Sequence, residues 1–405
     1  VANTEPQACR QAADWLVQRL GKCGLQARAV ATAGQPNVLA SLHVGDDSPT
    51  LLVYGHYDVQ PPDPLDQWQS PPFEPVVRDG AIWARGANDD KGQLYAHIMA
   101  IEAWQQAGGG VPVNLRVLLE GQEEVGSPDM EKFLAAHAEE LAADAAVISD
   151  SGFFAENLPS ITYALRGLAY VEVTFRGPWA DIHSGLNGGA VTNPINALAR
   201  IVAGMHDNAG RVTLPGFYDD VLPLTETERK GWEALPFDQA GYARSLGVEA
   251  LGGGEAGFSV LERRWARPTL DANGIVGGYT GVGSKTIIPA EASVKISMRL
   301  VPNQDPARIV EGFRQYVAEH TPAGIRAEVK LNAGASPVRI HTQSPAMEAG
   351  KAALAEAFGP DPAMVRSGAS VPITELFQRL LGLDAVLMGF GLPDDNLHSP
   401  NEHYN

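Results

Sequence analysis

Cysteine is scarce in this chain: Cys9 and Cys23 are the only two among 405 residues. Two cysteines near one end make neither a disulfide framework nor a cysteine-rich zinc cluster. They read as free thiols in a reducing cytoplasm, so any metal site must be built from His, Asp and Glu. Cations are also few, with 30 Lys and Arg against 48 Asp and Glu, a formal charge of -18. That balance argues against nucleic acid as a partner, because binding it requires basic patches. The longest apolar runs fall far short of the roughly 20 residues needed to span a membrane. No basic stretch followed by an apolar segment opens the sequence as a leader peptide would.

What is present is 44% hydrophobic residues, enough for a sizeable core, over a length that suggests two domains. Thr4-Glu5-Pro6-Gln7 has the form of a capping box, and Trp15, Leu16 and Leu20 continue it as a helical stripe ending near Gly21. Residues 38–44 and 50–54 read as strands either side of a GDDSP turn. A helix over 91–107, a strand over 113–119, a helix capped by Ser127-Pro128 and a strand over 145–149 follow. Strands alternating with helices predict a mixed-sheet α/β/α domain.

After Leu165 the pattern changes. Val171, Val173 and Phe175 alternate with polar residues, and so do Val294, Ile296, Met298 and Leu300, as half-solvated antiparallel strands do. Helices over 190–205 and 305–320 accompany them, with an irregular stretch over 207–267. This predicts an α+β domain at 166–336 inserted into an α/β domain made of 1–165 and 337–405. The second part carries helices near 344–358 and 372–381, a strand over 385–390 and the His398 loop.

The chemistry concentrates at predicted strand ends, where sheets of this kind bind ligands. Leu51–Tyr54 is an apolar run, and His56 and Asp58 follow at its mouth, a spacing that suits a metal-binding histidine held by a carboxylate. Asp89-Asp90, Glu123-Glu124 and Asp150 follow the next elements. Each alone is ordinary, since solvated acidic pairs and turn-capping aspartates are common. Together, His56, Asp89, Glu124, Asp150 and His398 suit a two-metal site, whose ions sit roughly 3.5–4 Å apart and share a carboxylate. Asp89 is the natural bridge by its place in the sequence, and Glu123 is left free as a general base. His43, His97, His137, His206, His320, His341 and His403 show no such pattern and read as structural or exposed. The GGGEAG stretch at 252–257 matches a dinucleotide fingerprint in form, but follows no clear strand and is set aside.

Seven segments in order, GHYDVQP, WARGANDDKGQ, EGQEEVGSP, ISDSG, DIHSG, SMRLVPN and NLHSPNE, together resemble the co-catalytic metallopeptidases. That superfamily includes carnosinases, aminoacylases, carboxypeptidase G and succinyl-diaminopimelate desuccinylase. GHYDVQP, KTIIP and RLVPN look most like cytosolic carnosinase-type dipeptidases. The resemblance implies one ion on His56, Asp89 and Asp150 and another on Asp89, Glu124 and His398, zinc by default with manganese as the alternative. It implies that Asp58 orients His56, that Glu123 is the base, and that Arg299, with Ser370 and Thr286, binds the substrate carboxylate. It further implies a cis Asp89–Asp90 bond and an inserted lid and dimerisation domain. Through a homodimer, His183 would reach the reacting carbonyl of the opposite subunit. The family usually continues past the NE of the last motif with a helix, whereas this chain stops at Asn405.

The expected function is a cytoplasmic metal-dependent hydrolase that cleaves dipeptides or short peptides. Two alternatives stay open: an N-acyl amino acid deacylase, and a non-catalytic homologue that binds a metal or peptide.

Overall fold

The structure, a computed structural model, describes all residues from 1 to 405, and the chain divides into two compact units. The first comprises 1–163, 340–365 and 371–405; the second comprises 164–339 and 366–370.

The first unit is built on a mixed sheet. Its strands run in the order Gln26–Val30, Asn37–Leu42, Asn114–Glu120, Thr50–His56, Ala145–Ile148, Ala385–Leu387 and Ser160–Leu165. The four strands from Asn114–Glu120 to Ala385–Leu387 are mutually parallel, and the flanking pairs are antiparallel. A parallel strand covered on both faces reads as a continuous apolar run, which is why Leu52, Val53 and Tyr54 are all buried. Helices Pro6–Lys22 and Lys91–Gln106 cover one face through Leu16, Leu20, Leu94 and Ile98. On the other, Tyr54 meets Phe377 edge-on at 5.8 Å.

Several local expectations shift. The strands either side of GDDSP are not neighbours in the sheet: Asn114–Glu120 inserts between them. The first helix starts at Pro6 with no side-chain cap, so the Thr4 box does not form, and its buried stripe is Cys9, Ala13, Leu16 and Leu20 while Trp15 is half exposed. Ser127 does not cap a helix: it takes a left-handed φ of 52°, and the helix begins at Met130. The last predicted strand is shorter, ending at Leu387. His403, read as structural or exposed, is structural. It is buried, pairs with Trp83 in a small three-stranded sheet and stacks on the Trp83 ring at 4.1 Å.

The second unit holds a four-stranded antiparallel sheet ordered Thr269–Gly277, Glu291–Leu300, Gly167–Arg176, Arg326–Ala335. Alternation puts Ala169, Val171, Val173 and Phe175 on the buried face, opposite Met298, Ile296, Val294 and Ala292. Helices Pro194–Ala203 and Pro306–His320 close this core, started by Asn193 and Asp305, whose carboxamide and carboxylate oxygens accept the Ile195 and Ala307 N–H groups at 2.8 Å. The stretch read as irregular holds three short helices, Glu226–Glu233, Gln239–Ser245 and Val260–Trp265, two of them closed by capping boxes at Thr225 and Ser259.

Candidate metal centre

The parallel strands all deliver their C-terminal ends to one edge of the first unit. His56 ends its strand directly opposite Glu120, and the Glu120 strand runs on into Glu123 and Glu124. Ile148 is followed two residues later by Asp150, and the Ala385–Leu387 strand leads toward the His398 loop. Gly55 makes the close packing behind His56 possible: a Cβ there would lie 2.8 Å from Asp90 Oδ2 and 2.9 Å from Leu94 Cβ. The same Asp90 oxygen accepts the His56 backbone N–H at 3.1 Å. The Asp89–Asp90 bond is cis.

Two triads converge around one aspartate. His56, Asp89 and Asp150 present ligand atoms within 4.8 Å of one another, and so do Asp89, Glu124 and His398. Asp89 Oδ1 lies 3.0 Å from His56 Nε2, and its Oδ2 accepts from His398 Nε2 at 2.7 Å. Asp150 Oδ2 is 4.0 Å from His56 Nε2, and Glu124 Oε1 is 3.6 Å from His398 Nε2.

The donors suit divalent cations. His56 Nε2 and Glu124 Oε1 are buried atoms with no hydrogen-bond partner, the state of ligands directed at an ion. Burial, opposed by His56 and reinforced by Asp150, Glu124 and Glu120, pushes the Glu123 carboxyl up to about 8. Burial likewise raises Asp150 to about 6, with His56 opposing and Asp89 adding to the shift. Against its own burial, the hydrogen bond from His398 and the close imidazole of His56 hold Asp89 well below the usual carboxylate range. Crowded buried anions with two imidazoles are what a bound cation would neutralise.

The Asp58 carboxylate, beside His56, has further partners in the next loop. Its Oδ1 and Oδ2 accept the backbone N–H groups of Glu123 and Glu124, each at 3.1 Å. The His56 ring nitrogen Nδ1 lies 3.6 Å from Asp58 Oδ1 but 3.2 Å from its carbonyl oxygen. Asp58 thus stands beside His56 through both its carbonyl and its carboxylate, and its side chain also fixes the Glu123-Glu124 turn.

Sequence reasoning left Glu402 without a role, although NLHSPNE contains it. Glu402 is fully buried. Its Oε1 accepts the N–H groups of Asn88 and Asp89 at 3.0 Å, and its Oε2 accepts Arg85 Nη1 at 2.8 Å and the Gly86 N–H at 3.0 Å. Asp395 grips Asn88 Nδ2 at 2.6 Å, and Gln60 Nε2 donates to Glu124 Oε2 at 2.7 Å. The segment bearing His398, itself at a left-handed φ of 58°, therefore also fastens the Asp89 loop. The spacing of Glu402 four residues after His398 was the available signal, but nothing local says which amides it meets.

The remaining named residues lie in the second unit. Arg299 Nη1 donates to Ser370 Oγ at 3.3 Å, so these two meet. Thr286 is placed instead beside His183: its carbonyl accepts the Ser184 N–H at 3.0 Å, next to the His183–Ile287 strand pair. His183 is exposed, and its Nδ1 accepts the Gly185 N–H at 2.9 Å, which assigns the ring proton to Nε2.

With this geometry in view, the model of peptidase family M20/M25/M40 matches residues 52–405. The chain belongs to that family. It is 35% identical over 379 residues to the Cys-Gly metallodipeptidase dug1 of Schizosaccharomyces pombe, covering 91% of this chain and 78% of that one. To the human Beta-Ala-His dipeptidase it is 32% identical, covering 91% and 74%. Among solved structures, the M20 family metallo-carboxypeptidase Sso-CP2 from Sulfolobus solfataricus superposes with a TM-score of 0.87 at 35% identity, covering 97% of this chain and 89% of that one. As in its M20 relatives, the fold is mixed α/β with a large mixed sheet. No helix is long and apolar enough to cross a membrane.

Proposed function

We propose that this M20 chain is a dinuclear metallodipeptidase that hydrolyses small peptides with a free C-terminal carboxylate. The observation that carries this reading is Asp89, one buried carboxylate shared by two ligand triads. Support for the substrate class comes from relatives named as Cys-Gly and Beta-Ala-His dipeptidases, 31–35% identical over at least 91% of the chain.

One divalent ion is assigned to His56, Asp89 and Asp150 and the other to Asp89, Glu124 and His398, with zinc favoured by the donor set and manganese as the alternative. When bound, such a pair supplies Lewis acidity toward the amide carbonyl and a water acidified toward neutral pH. Glu123, held through its own N–H by Asp58, takes a proton from the attacking water and passes it to the leaving amine nitrogen. The carbonyl carbon gains a C–O bond and loses its C–N bond, giving a carboxylate and an amine. Arg299, joined to Ser370, receives the substrate carboxylate through the planar guanidinium fork, and Thr286, which lies beside His183, is assigned to the substrate together with that histidine.

We assign the inserted unit the roles of lid and dimerisation domain, so that His183 serves the opposite subunit of a homodimer. Its Nε2–H donates to the carbonyl oxygen as negative charge gathers there. A cytoplasmic location is in keeping with Cys9 and Cys23 as buried free thiols.

The likeness to Sso-CP2, a metallo-carboxypeptidase by name, favours a second reading in which longer peptides are trimmed from the C-terminus. Metal-stripped protein reloaded with zinc or manganese should be assayed on dipeptides, tripeptides and N-acetyl or N-succinyl amino acids. Metal-dependent cleavage concentrated on dipeptides is the expected result. Cleavage of tripeptides from the carboxyl end supports the second reading, and cleavage of N-acyl amino acids alone replaces both. Metal binding without turnover on any member would mark a non-catalytic homologue.

A further inference from the structure

The second unit holds a pair of arginines for which the chain provides no counter-ion. Arg299 stands opposite Leu168 across adjacent strands, and Arg166 lies two residues before Leu168 on the same alternation. Ser370 joins them: its Oγ accepts from Arg299 Nη1 at 3.3 Å and donates to the Arg166 carbonyl at 2.5 Å. Arg166 Nε donates to the Gly368 carbonyl at 3.1 Å, and a Cβ at Gly368 would fall 2.9 Å from Arg166 Nη2. The glycine therefore leaves space where any side chain would press on the guanidinium.

Neither guanidinium forms an ion pair. The acid whose field reaches Arg166 is Asp271, an exposed side chain beyond ion-pair distance. Burial, with the neighbouring charges of Arg299 and Arg264, pulls Arg166 down to about 10. A half-buried guanidinium beside a like charge is costly unless an anion arrives to share it. The pair also stands out in a chain whose formal charge is -18.

We propose that Arg166 and Arg299 together form a two-carboxylate site, and that the preferred substrates are dipeptides ending in glutamate or aspartate. One fork takes the main-chain carboxylate of the C-terminal residue, as assigned to Arg299 above. A neutral C-terminal side chain would leave the Arg166 fork unpaired, whereas an acidic one fills it. The inference deepens the dipeptidase reading and rests on it for the chemistry, although the anion site itself is a binding property.

The test compares Ala-Glu with its near-isostere Ala-Gln, and Ala-Asp with Ala-Asn, on wild-type enzyme, Arg166→Gln and Arg166→Lys. A charge-assisted pair predicts kcat/KM about 10- to 100-fold higher for the acidic member in wild type, carried mainly by KM. Arg166→Gln should collapse that ratio toward one, and Arg166→Lys should restore part of it, since it keeps the charge and loses the fork. In parallel, calorimetric titration with free L-glutamate and L-glutamine should show tighter glutamate binding to wild type that Arg166→Gln abolishes. Equal kcat/KM for Ala-Glu and Ala-Gln in wild type overturns the proposal while leaving the dipeptidase reading intact. So does a uniform loss on all four substrates in Arg166→Gln, which would mean that both arginines hold one carboxylate. Glutamate-selective binding without hydrolysis of any dipeptide would retain the anion site and overturn the dipeptidase reading.

Discussion

The Glu402 carboxylate receives the backbone N–H of Asp89 at 3.0 Å, tying the shared aspartate to the segment that carries His398. Groups that hold a metal ligand in place commonly change affinity 10- to 100-fold when removed. Glu402→Gln keeps one acceptor oxygen and turns an amide NH₂ toward donors. We expect metal affinity to fall by about 10- to 100-fold. Competitive titration with a chelator measures this directly, and affinity within threefold of wild type would remove Glu402 from the assembly of the site.

Glu123→Gln should lower turnover about 10²- to 10⁴-fold, the usual range for general acid–base help, while metal content stays near two ions per chain. The side chain adjoins a ligand yet belongs to neither triad. Loss of an ion in elemental analysis would instead make Glu123 a ligand, and activity within tenfold of wild type would end its assignment as base.

His97 predicts an acid sensitivity independent of the metal site. Burial lowers it from 6.5 to about 4, with Nε2 donating to Ser149 Oγ at 2.7 Å. The unfolded chain takes up this proton below 6.5, and the folded chain resists doing so until about 4. Its stabilising contribution is therefore complete above pH 6.5 and lost as pH falls toward 4. Urea unfolding of metal-free protein across that window should show a shallower decline for His97→Gln than for wild type. Parallel declines would place the His97 pKa near its ordinary value.

Subunit mixing tests the action of His183 in trans. His183→Ala and Glu123→Ala homodimers should each be nearly inactive. Their heterodimer would contain one doubly impaired site and one site with both residues intact, so activity should recover to about half per heterodimer. Demonstrated subunit exchange without recovery would confine His183 to its own subunit.

The types and periodicities were legible in the residues alone: apolar parallel strands, alternating antiparallel strands, and acids and histidines placed just beyond strand ends. These are readable because side-chain facing repeats every two residues in a strand and about every 3.6 in a helix, a local property of the backbone. Hence Val171, Val173 and Phe175 announced a buried face, and His56, Asp89, Glu124, Asp150 and His398 could be named before their distances were known. Which partners those residues meet follows from the folded chain. It put Asn114–Glu120 between two strands that are neighbours in sequence, turned the Asp58 carboxylate to the Glu123 and Glu124 amides, and gave Glu402 the backbone of a loop more than 300 residues away. It also set Arg166 beside Arg299 without a counter-ion. Such pairings depend on the closing of long loops and on the packing of whole elements, and no local pattern in the sequence encodes them.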